Sequence, residues 1–283
     1  MRGPTPGCVM NESRRKGLAL GFIALWAAAA LLAPLLAPYP YAATDLSSRL
    51  QGPSARHLLG TDDLGRDVLS RALVGGRVSL AVTGMSLVLA LVLGTLLGLL
   101  SGYVGGILDM AASRLVDVLL ALPGLLVAIA LVAYVGRGFA PLVLALSCTA
   151  WVGYARMARS LALSLRERDF VLASRAAGAG PAHILIRHLL PQAAPVLAVQ
   201  AAAGGAGVLL SEAGLSFLGL GVQPPHPSWG EMLASGCDVL LEAPHLALVP
   251  GLLIFGAVWA LNVLGESVPQ DLAPERSARV VAL

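Results

Sequence analysis

Between Val78 and Leu100 the chain reads VSLAVTGMSLVLALVLGTLLGLL, without one charged side chain. As a helix rising about 1.5 Å per residue, a run of this length crosses a hydrocarbon core of about 30 Å. Working outward, five further apolar runs appear: Gly17 to Ala37, Val118 to Val135, Gly138 to Ala155, Gln192 to Gly221 with one internal acid, and Leu246 to Gly265. Arg14, Arg15 and Lys16 before the first run would also suit a signal peptide, but its apolar stretch exceeds the usual length of about 7–15 residues, so it is read as a span. The composition agrees: 57% hydrophobic, 12% charged and a mean hydropathy of +0.80, against about 25% charged in soluble domains. The expected fold is an all-α polytopic membrane protein with six transmembrane helices.

Charge placement sets the expected orientation. With the N-terminus inside, 13 of the 19 Lys and Arg residues fall on the inner segments, and basic residues concentrate on the cytoplasmic side. Both termini are therefore expected in the cytoplasm. The chain divides into an inner tail (1–16), a first span (17–37), an external segment (38–77), a five-span core (78–270) and a second inner tail (271–283). Within the core, an inner loop (166–191) and an external loop (222–245) are too long to be bare connections.

Several chemistries are set aside on residues alone. The only lysine, Lys16, follows no glycine-rich loop, so no phosphate-binding P-loop exists. Cys8, Cys148 and Cys237 are far apart and lack metal or redox spacing. His57, His183, His188, His226 and His245 lie outside the apolar runs, which argues against a membrane-embedded hydrolase. A pI near 9.0 follows from basic loops on one membrane face and does not call for a nucleic-acid partner.

Inside the runs, Gly94, Gly98, Gly102 and Gly106 recur every fourth residue, giving a helix face for close packing within the fold or for a dimer seam. Gly204, Gly205 and Gly207 suit packing or a hinge. Pro123 is expected to kink the third span, and Arg114 can pair with Asp117 on one helix face. Glu212 is the acid within an apolar run. Such groups are expensive there and usually mark a polar pathway, so Glu212, Gly204, Gly205 and Gly207 are candidates for a translocation path or gate. The alternative for Glu212 is a place near the outer helix end, reaching water or a neighbour.

In the inner loop, Arg166 to Gly178 reads as an amphipathic helix stopped by Gly178 and Gly180-Pro181, and a second short helix, Ala182 to Leu190, is expected to end at Pro191. A basic helix-turn-helix between two spans suits docking onto another protein or anionic lipid. The stretch Ala173-Ser174-Arg175-Ala176-Ala177-Gly178-Ala179, followed by Leu190-Pro191, resembles the cytoplasmic coupling loop of membrane subunits in binding-protein-dependent ABC importers. Leu59 to Arg71 (LGTDDLGRDVLSR), Arg114 to Asp117 with Leu122-Pro123-Gly124, and Leu215 to Pro225 (LSFLGLGVQPP) with Pro227-Ser228-Trp229-Gly230 resemble the branch importing dipeptides, oligopeptides and nickel. Three positions depart from the family's loop: Leu172 stands where its leading Glu is usual, Ser174 replaces an Ala, and Ala177 a Leu. The C-terminal stretch Gly265 to Pro274 also departs from the family's ending.

The resemblance implies a permease subunit with no enzymatic chemistry, forming half of a pathway for peptide uptake across the cytoplasmic membrane. Its implied partners are a second homologous permease subunit, two cytoplasmic ATPases that bind ATP and Mg, and an external substrate-binding protein. No cofactor or metal is implied on this chain. Ala173, Ser174, Arg175, Ala176, Gly178, Ala179, Leu190 and Pro191 would form the ATPase-coupling loop. Asp62, Asp63, Arg66, Asp67 and Trp229 would face the binding protein, with the folded-loop alternative that the Asp and Arg residues pair among themselves. Nickel or another small solute is the alternative cargo. A self-sufficient secondary carrier is a rival reading, but it leaves the basic loop unexplained and calls for matching inverted halves.

Overall fold

The computed structural model describes residues 12–266. Cys8 and Arg2 at one end, and Ser267 to Pro274, Arg276 and Arg279 at the other, lie outside the described residues. Among the described residues ten α-helices follow one another: α1 (Glu12–Leu36), α2 (Val68–Val104), α3 (Gly106–Leu120), α4 (Gly124–Val135), α5 (Phe139–Leu165), α6 (Asp169–Ala176), α7 (Pro181–Ile184), α8 (Leu190–Phe217), α9 (Trp229–Asp238) and α10 (His245–Glu266). Five continuous helical stretches are long and apolar enough to cross a membrane: within α1, α2, α5, α7 running on into α8, and α10. Counted as one broken span, the pair α3 and α4, bent by 91°, brings the number to six. The all-α polytopic fold expected from the sequence is the fold observed.

Two expectations about the spans change. Pro123 does not kink a continuous third span; it is the residue before α4, and the chain turns through a right angle between Leu120 and Gly124. Proline disfavours helical backbone in the residue before it, so Leu122-Pro123 ends one helix and starts another. The four-glycine face is also interrupted. Gly105 and Gly106 have φ of +71° and +61°, so α2 stops at Val104 and Gly106 starts a new helix.

The remaining three glycines let α2 and α5 meet backbone to backbone. Gly94 lies against the main chain at Trp151 and Ala155, Gly98 against Ala155 and Ala158, and Gly102 against Arg159 and Ala162. Small residues on both helices let the backbones of α2 and α5 meet without a hydrophobic drive, as packing in lipid requires. This face is spent inside the chain and is not a dimer seam. Arg114 and Asp117 do not pair; Asp109 of α3 instead receives two hydrogen bonds from Arg159 of α5, at 2.5 and 2.7 Å. Large apolar side chains such as Leu35 (83% exposed) and Tyr134 (91%) face outward, as a bilayer or a partner helix would have them.

Candidate translocation and coupling sites

At one end of the bundle, residues 38–77 fold into a cap. Asp62 accepts from the Arg66 Nε–H at 2.6 Å and lies 3.4 Å from Arg71 Nε. Arg71 also donates to Glu231 of α9 at 2.9 Å. Asp67 caps α2 by accepting from Ser70 N–H at 2.8 Å and meets His57 Nδ1 at 2.9 Å. Gly65, at φ +72°, lies against the Asp45 carbonyl, where any side chain would collide. Hydroxyls of Ser47 and Ser48 donate to Asp45 and hold its carboxyl below the usual carboxylate range. A depressed carboxylate contributes stability above its unfolded pKa and loses it as pH falls through the folded value, so this turn is intact at neutral pH.

The cap's charges therefore serve one another. Asp62 and Asp67 are buried, and of the five residues expected to face a binding protein only Asp63 presents a substantially open side chain, 41% exposed. Trp229 is 2% exposed. Its ring stacks on Trp26 of α1 at 5.0 Å, and its Nε1–H donates to Ala72 O at 2.9 Å. It is an interior clamp between α1, α2 and α9, not a residue that faces outward toward a binding protein; Gly76 leaves it room, since a Cβ there would stand 2.9 Å from the indole. Replacing Arg71 by Ala should strand Glu231 beside a cavity. The expected cost is about 2–3 kcal/mol, below the roughly 3–5 for a fully buried pair because Glu231 keeps some water. Thermal unfolding of Arg71→Ala, Glu231→Gln and the double variant reads this, and additive losses would dismiss the pairing.

Below the cap, Glu212 is wholly buried and accepts from Ser216 Oγ at 2.9 Å. Ser79 of α2 and Ser228, the N-cap of α9, stand within its reach. Ser79 is tied in turn to Trp229 N–H. Among the described residues the carboxyl's hydrogen bond stays within α8, and its second oxygen is buried without a partner.

A cavity of about 310 Å³ opens on another face of α8, between it, α4 and α5. Gln200, Gly204, Gly207 and Ser211, spaced four, three and four residues apart, line it from α8, and Thr149 and Tyr154 line it from α5. Among the described residues none of its lining groups is charged at neutral pH. Gly205 faces the opposite way, against Leu87 and Leu261. Sequence reasoning missed Gln200, Ser211 and Tyr154; the helical spacing from Gly204 could have found the first two. Tyr154 is 3% exposed and its hydroxyl has no hydrogen-bond partner, an arrangement that costs about 1–3 kcal/mol. That hydroxyl rests against Gly204, whereas a Cβ at Gly207 meets open space. Gly204→Ala should therefore lower the unfolding midpoint while Gly207→Ala leaves it level or raises it, because Ala is the better helix former by about 0.5–1 kcal/mol. Equal midpoints for the two variants would refute the close contact.

At the other end, the loop between α5 and α8 is seated by one side. Val171, Ile184 and Leu189, all fully buried, pack with Leu99 and Tyr103 of α2. Arg175 lies over the Tyr103 ring at 5.3 Å, and Ser174 Oγ meets His188 Nε2 at 3.1 Å. Leu172, Ala173, Ala176, Ala177 and Gly178 are left exposed. The helix ends in a Schellman motif: Ala179 N–H donates to Ser174 O at 3.1 Å and Gly178 N–H to Arg175 O at 3.0 Å, with Gly178 at φ +85°. Leu190 and Pro191 do not end the loop. The backbone passes from α7 through a π-helical turn (Leu185–Leu189) straight into α8. Pro191 sits in the first turn of α8, where the missing N–H matters least, and the widened turn before it takes up the ring.

Residues 94–274 match the model of a protein family described as the binding-protein-dependent transport system inner membrane component. The chain is 40% identical over 257 residues to the nickel transport system permease protein NikC of Escherichia coli K12, covering 91% of this chain and 93% of that one. It is 41% identical over 260 residues to the di/tripeptide transport system permease protein DppC of Pseudomonas aeruginosa, covering 90% and 86%. Against the dipeptide transport system permease protein DppC of Alkalihalophilus pseudofirmus it is 40% identical over 246 residues, covering 87% and 81%.

Proposed function

Because the chain belongs to the family of binding-protein-dependent transport system inner membrane components, we propose that it forms half of the path of an ABC importer that takes up di- or oligopeptides. Energy comes from ATP hydrolysis, with Mg, on two separate cytoplasmic subunits. A second homologous permease subunit supplies the other half of the path, and an external binding protein delivers the cargo. This chain binds no cofactor of its own. Both termini and the 166–191 loop face the cytoplasm, in keeping with the basic inner segments, and the 38–77 cap and 222–245 loop face outward.

The observation that carries this reading is the exposed strip from Leu172 to Gly178, on a helix whose other side is fixed by Val171. Small side chains there allow close docking in an ATPase groove, and Arg175 is held by Tyr103 at the edge of that face. A push on this helix passes through Val171, Ile184 and Leu189 to α2 and α8, shifting the population between inward-open and outward-open states. Gly204, Gly205 and Gly207 give α8 the adaptability this needs, and the buried Glu212, with one carboxyl oxygen unpartnered, marks the gate on this helix. On the outside, the binding protein meets the cap around Asp63, with Asp62, Arg66, Asp67 and Trp229 holding its shape from within.

Peptide is favoured by the two DppC relatives and by a cavity wall of neutral hydrogen-bonding groups. Nickel is the second reading, favoured by the likeness to NikC. Affinity capture of the tagged protein from mild detergent tests the assembly. An ATPase and a second permease should be recovered, and scrambling residues 172–180 should lose the ATPase while keeping the permease. A protein that purifies alone, or that keeps its ATPase after scrambling, would defeat the assignment. Uptake of labelled dipeptide against nickel by the same cells decides the cargo.

A further inference from the structure

We propose that a groove between α2, α3 and α5 holds an anionic phospholipid of the leaflet next to the 166–191 loop, with its phosphate on Arg156 and one acyl chain along Trp151. The groove has a volume of about 320 Å³. Leu97 of α2, Leu108, Ala112 and Leu115 of α3, and Trp151 and Ala155 of α5 give it apolar walls. Leu97, Leu108 and Leu115 are exposed, so the groove stands open to its surroundings. Those surroundings are lipid, because α2 and α5 are of membrane-spanning length and composition. At that depth such a groove fills with an acyl chain or with another helix.

Charge decides between the two. The apolar run of α5 from Gly138 ends at Ala155, a rise of about 26 Å, close to the thickness of a hydrocarbon core. Arg156 therefore stands where headgroups begin. It lines the groove, it is exposed, and among the described residues it has no hydrogen-bond or ion-pair partner. The other arginine of the wall, Arg159, is already taken by two hydrogen bonds to Asp109. Asp117 also lines the groove, and its charge acts on Arg159. Arg114, exposed beside the lining residues Ser113 and Leu115, has no acidic partner either. Three arginines thus face two aspartates, and a free guanidinium stands at the groove. An unpaired guanidinium at the edge of a bilayer is costly, and its planar fork matches a phosphate with two parallel hydrogen bonds. An apolar helix would leave it unpaired, whereas a phosphate carrying an acyl tail satisfies both the charge and the apolar walls. The lipid also supports α3, whose one buried residue among those described is Val116.

The test uses the purified full chain, alone and assembled with the partners it captures, in phosphatidylcholine vesicles. A minor share of the lipid is phosphatidylglycerol or phosphatidylcholine brominated on its acyl chains. Bromine quenches indole emission on contact, and the difference between the wild type and Trp151→Phe isolates the emission of Trp151. Brominated phosphatidylglycerol should quench that emission at about fivefold lower content than brominated phosphatidylcholine, the contribution of one basic residue beside an anionic headgroup. Arg156→Gln should bring the two lipids level, and Arg156→Lys should restore most of the preference. Equal quenching by the two lipids in the wild type would overturn the site. So would quenching of Trp151 in the single chain that vanishes in the assembly, because a partner helix would then fill the groove. If Arg156→Gln does not fold, Ala112→Phe decides. A ring in the groove should abolish the preference for phosphatidylglycerol, and an unchanged preference would refute the site.

Discussion

Gly98→Leu is expected to leave little correctly packed protein in the membrane. A Cβ at this position would stand 2.8 Å from Ala158 Cβ and 3.0 Å from the Ala155 carbonyl carbon, with the Ala155 oxygen closer still. These obstacles are main chain and a methyl group, neither of which can rotate away. A leucine therefore has to drive α2 and α5 apart, and with them Gly94 and Gly102, whose contacts lie one turn to either side. Overpacking a core costs about 1–3 kcal/mol where side chains can adjust. Here the loss should exceed about 3 kcal/mol, a large share of the roughly 5–15 that holds a domain together. Gly84→Leu is the control, since nothing lies within 4 Å of its Cβ. Recovery of monodisperse protein in mild detergent and the unfolding midpoint measure both variants. A Gly98→Leu protein with a wild-type midpoint would dismiss the glycine seam as the main contact of the bundle.

That seam was legible in the sequence because a four-residue glycine period is a local pattern with one physical use in a helix. Its end was not, since Gly105 and Gly106 look like more of the same until φ turns positive. The apolar runs and the loop helix ending at Gly178 were readable for the same reason: each depends on neighbours a few residues away. Pro191 misled because a proline after a short helix reads as a stop, while a π-turn before it lets the backbone continue. Trp229 misled for a different reason. The family resemblance places it on the outer face, and only its distant contacts with Trp26 and Ala72 reveal an interior role. Glu212 stood out as an expensive residue and its partner Ser216 lies one turn along the same helix, yet its complete burial comes from elements well away in the chain. The lone hydroxyl of Tyr154 had no signal at all. A tyrosine in an apolar run is ordinary until the structure shows that nothing pairs with it.

Substitutions at Gly178 should lower uptake in order of backbone cost and docking charge, down to background for proline, while the protein stays in the membrane. At φ +85° a side chain costs about 1–2 kcal/mol, but no atom lies within 4 Å of its Cβ, so volume alone is harmless. Gly178→Asn should keep most uptake, because asparagine visits this region more readily than other residues. Gly178→Ala should lose several-fold. Gly178→Pro should fall to background, since the ring fixes φ near −65° and deletes the N–H that donates to Arg175 O. Gly178→Asp has the same shape as Asn and adds a charge to the exposed face, so the gap between Asp and Asn isolates docking from folding. Because the site is exposed and lies beyond the packed Val171 side, membrane levels of all four variants should match the wild type. Uptake of labelled dipeptide, set against those levels and against the amount of ATPase captured with each variant, reads the series. Full uptake by Gly178→Pro, or by a normally inserted Gly178→Asp, would show that this turn does not transmit the push.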